Sequence, residues 1–107
     1  MSLDVHLNAM RPTQVYWRNI THNLNTMAQK AGLYLLLWRP DELGMTRASE
    51  LIPGLEEGLA KLTGCPTYYK VYNPENGWGD YDGFVDFVTE YLQACKDNPD
   101  AEIEISR

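Results

Sequence analysis

The stretch Asn76-Gly77-Trp78-Gly79-Asp80 sets a side-chain amide and an indole among glycines, just after Tyr68, Tyr69 and Tyr72. Glycine adopts backbone angles that other residues resist and lets a partner approach the main chain, while Trp offers a rigid flat surface with one N–H donor. That combination fits a binding loop; it also fits a plain turn whose Trp78 covers a small core. A second group lies in Asn19-Ile20-Thr21-His22-Asn23. If a helix already includes Asn19, then Asn19, His22, Asn23 and Thr26 share one face, an uncharged polar stripe. Amides beside an imidazole that titrates near neutral pH can recognise a polar ligand, although an ordinary solvated helix face reads the same way. Arg39, in Trp38-Arg39-Pro40-Asp41-Glu42, offers a planar fork that clamps an anion, or that pairs with Asp41 or Glu42 while Trp38 joins the core. The candidate ligand-binding set is therefore Asn19, His22, Asn23, Arg39, Asn76 and Trp78.

Covalent and metal chemistry find less support. His6, His22, Cys65 and Cys95 show no His-x-x-x-His, His-Glu-x-x-His or Cys-x-x-Cys spacing, so no metal site is expected. Ser2, Ser49 and Ser106 lack a nucleophile elbow, and the adjacent carboxylates Asp41 with Glu42 and Glu56 with Glu57 point in different directions from a helix. Neither a phosphate-binding loop of the Walker type nor a dinucleotide fingerprint is present, and no cofactor is expected. No catalytic residue is assigned; His22 is the one candidate general base.

A net charge of −6 and a sequence pI near 4.7 oppose general nucleic-acid binding, which needs a basic patch to release counterions. A compact anion is still compatible, since Arg11, Arg18, Arg39 and Lys70 can gather locally. The longest apolar block, Leu33 to Trp38, is far too short for a membrane span, and the first residues do not read as a signal peptide. A cytoplasmic protein is expected, with both cysteines free.

The elements that must position these residues read as a single α+β domain over residues 1–107. Leu3, Val5 and Leu7 alternate with polar residues, as do Ile103 and Ile105, which predicts two short strands pairing with each other in a small antiparallel sheet. Thr13 to Trp17, opened by Pro12, is a third candidate strand. Three to five helices are expected to pack on the sheet. Ile20, Leu24, Met27, Ala28 and Ala31 mark a first helical face, with Gly32 in the position of a C-terminal cap. Leu33 to Trp38 reads equally as strand or helix. Ala48, Leu51, Ile52, Leu55, Leu59 and Leu62 mark another helix, interrupted by Pro53, which predicts a kink or two short helices meeting at Ile52. Asp80 is placed to cap a last helix whose buried face is Tyr81, Phe84, Val85, Val88, Tyr91, Leu92 and Cys95.

The combination of Ile20-Thr21-His22-Asn23-Leu24, Leu37-Trp38-Arg39-Pro40, Asn73-Pro74 with Asn76-Gly77-Trp78-Gly79, and the tail Glu102-Ile103-Glu104-Ile105-Ser106-Arg107 resembles small uncharacterised proteins of bacteriophage genomes and bacterial prophages. The resemblance covers nearly the whole chain and implies no catalytic residue. It implies a context, in which small phage proteins inhibit host machinery or sequester defence signals. Three expectations follow: a non-catalytic pocket for a small polar or nucleotide-like ligand; an acidic inhibitor that binds a host protein through Tyr68, Tyr69, Tyr72 and Trp78; and a small hydrolase or transferase using His22. Three Trp and seven Tyr in 107 residues also predict a homo-oligomer.

Overall fold

In the computed structural model, which describes residues 2–9, 14–77 and 79–107, the alternation of Leu3, Val5 and Leu7 becomes strand β1 (Ser2–Asn8), with all three side chains fully buried. β1 is the central strand of an antiparallel sheet ordered β2-β1-β3. Strand β3 (Glu102–Ser106) pairs with it from Asp4 opposite Ser106 to Asn8 opposite Glu102, so the terminal strands are neighbours as expected. Strand β2 (Gln14–Thr21) flanks the other side, with Leu3 opposite Ile20 and His6 opposite Trp17.

β2 corrects the expected start of the first helix. Ile20 lies four residues before Leu24 and fits a helical face, but it packs as a strand residue against Leu3. Thr21 holds extended angles (φ −66°, ψ 142°) and its hydroxyl accepts from the Asn23 N–H, which turns the chain into a single 3-10 turn, His22–Leu24. Helix α1 (Asn25–Lys30) follows. It ends where Gly32, at φ +73°, lets the Leu33 N–H reach the Ala28 carbonyl at 2.8 Å and the Gly32 N–H reach Gln29.

The ambiguous Leu33 to Trp38 run is helix α2 (Tyr34–Trp38), burying Leu36, Leu37 and Trp38. Helix α3 (Ala48–Gly64) runs through Pro53 as one element, which overturns the two-helix alternative. Pro53 stands in the second turn with its ring exposed, so the missing N–H costs one bond near the solvated helix start. α3 receives α2 and the Leu33 that precedes it closely: a Cβ on Gly58 would lie 2.3 Å from Leu33 Cδ2, and one on Gly54 2.4 Å from Leu36 Cδ1. Glu50 secures the helix start by accepting from the N–H groups of Thr46 (3.0 Å) and Arg47 (2.9 Å).

After helix α4 (Pro66–Lys70), helix α5 (Tyr81–Asp97) is capped by Asp80, whose carboxylate accepts from the Gly83 N–H at 2.7 Å. The expected face of α5 is buried, with Val85 at its margin, and it packs on α3 and on the inner face of the sheet. Tyr16 of β2 stacks on Tyr91 of α5 at 5.9 Å. Arg18 of β2 lies over the Phe87 ring and pairs with Glu90.

Candidate functional site

His22 owes its position to the switch from β2 to the 3-10 turn. Its ring meets Trp38 edge-on, with centroids 6.1 Å apart and planes at 66°. Its Nε2 is shut away from solvent and has no hydrogen-bond partner among the described residues. Trp38 is buried against Tyr34, one turn earlier on α2, in a stack of 5.5 Å and 15°. The Tyr34 hydroxyl in turn accepts from Arg39 Nε at 3.2 Å, while Arg39 Nη1 donates to Glu42 at 3.0 Å. Both bonds favour the protonated guanidinium and raise its pKa, the bond to Tyr34 foremost. From behind, Arg107 Nη1 donates to the Trp38 carbonyl (3.0 Å) and to Asp41 (3.2 Å). The result is one connected series, His22 to Trp38 to Tyr34 to Arg39, fixed to both α2 and the end of β3.

The glycine-flanked loop comes to the same turn. Gly79 holds φ +94°, and a Cβ there would lie 2.6 Å from Thr21 Cγ2 and 3.1 Å from Leu24 Cγ. The main chain at Gly79 therefore rests on the residues on either side of His22 and Asn23. Asn73 steadies the loop's far end by accepting from the Tyr81 N–H at 2.8 Å. Asn76 is exposed in this loop. Trp78 lies outside the described residues.

The remaining candidates separate. Asn19 is in β2 opposite Asp4, on the outer face of the sheet, so Asn19, His22, Asn23 and Thr26 do not form one helical stripe. Asn23 is exposed, with its backbone N–H committed to Thr21. Tyr34 was not among the expected site residues; its spacing of four from Trp38 would single it out only once the segment is known to be helical. A cavity of about 480 Å³ opens beside it, lined by Gln29, Gly32, Tyr34 and Leu35.

The chain matches no known protein family, no curated protein and no solved structure. Chemistry here rests on the side chains alone. Among the described residues no group of three His, Cys, Asp or Glu side chains is placed to hold a metal ion. Cys65 is exposed, whereas burial pushes the Cys95 thiol up to about 12, which makes it a poor nucleophile. No helix among the described residues is long and apolar enough to cross a membrane. What the His22 flank offers is a buried ring nitrogen, aromatic surface, and a guanidinium at its edge.

Proposed function

We propose that this chain is a non-catalytic binding protein whose site is the flank shared by His22, Trp38, Tyr34 and the residue 76–80 loop, and whose ligand is small, polar and nucleotide-like. The observation that carries the reading is the Nε2 of His22, buried and without a partner among the described residues. Leaving a buried polar atom without a partner costs about 1–3 kcal/mol, and a ligand group that reaches it recovers that loss. The ring of half-buried Tyr34, backed by Trp38, and a loop seated at Gly79 suit a planar base, and Arg39 supplies positive charge for an anionic tail. The cavity beside Tyr34 has the volume that small-ligand pockets need. In the phage context implied by the sequence resemblance, such a protein sequesters a host defence signal in the host cytoplasm.

The test is a thermal-shift and calorimetric screen of mononucleotides and cyclic dinucleotides. A ligand present at a hundred times its Kd adds about 2.7 kcal/mol of stability, which in a domain of this size raises Tm by roughly 10–20 °C. His22→Ala and Trp78→Ala should each weaken binding while the fold survives. The reading fails if no nucleotide shifts the melting curve, or if either substitution unfolds the protein.

A second reading, the acidic inhibitor of a host protein, is favoured by one observation. Tyr68 is 50% exposed and Val71 75% exposed, and Tyr68 meets Tyr69 and Tyr72 edge-on at the end of α4. Such aromatic steps serve as interface anchors, and self-association would use the same patch. Light scattering of wild type and Val71→Asp distinguishes a second copy from a host partner.

A further inference from the structure

Among the described residues no element covers the outer face of the sheet, and its residue types are one-sided. Leu3, Val5 and Leu7 point into the core, so the intervening residues of all three strands point out. Register lines up Trp17, His6 and Glu104 in one row across β2, β1 and β3, with Asp4 and Glu102 in the rows on either side. The one Arg or Lys in the three strands is Arg18, and its side chain lies on the inner side with Phe87 and Glu90. Among the described strand residues, the outer face therefore carries three carboxylates and neither Lys nor Arg. At its β2 margin Trp17 is 49% exposed, beside Val15 at 42%, and its ring stands 6.4 Å from that of His6. Glu104 is oriented by accepting from Asn8 Nδ2 at 2.9 Å.

Open indole surface on the same face as three carboxylates matches a segment bearing guanidinium groups, which stack flat on an indole and fork to a carboxylate. A second copy docked on the same face would set three carboxylates against three, and a nucleic acid would meet the same repulsion. Outward positions along a strand repeat about every 6.8 Å, the spacing at which an extended peptide presents alternate side chains. We propose that the outer face of the β2-β1-β3 sheet docks an extended, arginine-bearing segment of a partner protein, with Trp17 as the stacking platform and Asp4, Glu102 and Glu104 as the counter-charges. This surface is separate from the His22 flank and does not depend on the ligand reading given above.

The probe is a fluorescein-labelled eight-residue peptide of alternating arginine and threonine, titrated with the whole chain at about 50 mM salt and followed by anisotropy. Saturable binding is expected, weakening steeply as salt is raised. Trp17→Thr, which keeps a strand-forming residue, should weaken it by about 2- to 5-fold. Glu102→Gln with Glu104→Gln should weaken it by about 10-fold and flatten the salt dependence. Glu57→Gln, on α3, should leave it unchanged, and replacing the peptide's arginines by lysines should lower affinity. The proposal is overturned if binding does not saturate, or if Glu57→Gln weakens it as much as the β3 pair does. It is equally overturned if sedimentation shows a dimer that Trp17→Thr dissociates, since a second copy then occupies the face.

Discussion

Replacing Gly79 by alanine measures how firmly the loop sits on the turn that carries His22. Two costs arise at this position. The backbone is at φ +94°, where an L-residue is disfavoured by roughly 1–2 kcal/mol. The added methyl would stand 2.6 Å from Thr21 Cγ2 and 3.1 Å from Leu24 Cγ. Leu24 is itself buried and cannot swing aside, so overpacking adds about 1–3 kcal/mol. Stiffening of the unfolded chain returns about 0.4–1 kcal/mol, which leaves a net loss of about 1–5 kcal/mol, centred on roughly 3. Gly77 supplies the control, because it also has positive φ (+76°) but nothing within 4 Å of its would-be Cβ. Gly77→Ala should therefore lose only about 1 kcal/mol. Urea unfolding of the two variants isolates the contact as their difference, and each kcal/mol should appear as about 4–8 °C in Tm. Equal losses would mean that the loop does not rest on Thr21 and Leu24, and the shared site of His22 and the loop would fall with it.

Three further outcomes follow from the described geometry. The N–H groups of Thr46 and Arg47 hold the Glu50 carboxyl below its ordinary value of 4.5, so its stabilising effect is present above that pH and lost as pH falls through the lower folded value. Glu50→Gln should melt earlier at neutral pH, with the gap to wild type closing on acidification; a constant gap would contradict the cap. The Cys95 thiol, raised from 9.0 to about 12 by burial, favours the fold below pH 9 and loses up to about 4 kcal/mol of that as pH climbs toward 12. Tm over that range should fall more steeply for wild type than for Cys95→Ala, and in the native protein a thiol reagent should modify Cys65 alone. Removing residues 102–107 takes away β3 and the Arg107 contact to Trp38, and circular dichroism should show a sharply lowered melting point.

Where a single periodicity governs a segment, the chain is readable residue by residue. Leu3, Val5 and Leu7 fit only a strand, Phe84 to Cys95 only a helix, and Asp80 has the side chain that an N-cap requires. Ile20 fits both patterns: it is spaced from Leu24 for a helix and sits in a run of β-branched and aromatic residues for a strand. Only its pairing with Leu3, a contact distant in sequence, decides between them. Leu33 to Trp38 is apolar throughout and so carries no period at all. Those two segments position the site, and this is why spacing alone draws Asn19 into a helical stripe and does not single out Tyr34. Pro53 stands inside α3 without dividing it, so proline in a helical pattern does not by itself place a helix boundary; the packing of Leu51, Leu55 and Leu62 in the core holds the helix as one element.

The pairing of Asp4 with Ser106 also means that the chain nearly closes into a loop. The start of β1 and the end of β3 lie side by side and run in opposite directions, so a turn of a few residues could join them as a hairpin. A circular permutant made that way and opened at exposed Cys65, between α3 and α4, keeps every strand pair. Its β1-β3 contact, separated by about a hundred residues in the native order, becomes local. Closing so long a loop carries an entropic toll in the search for the native state, and it falls on the strand that anchors the sheet. The permutant should refold faster than the parent while reaching the same sheet, which makes chain order here a determinant of folding rate and not of architecture.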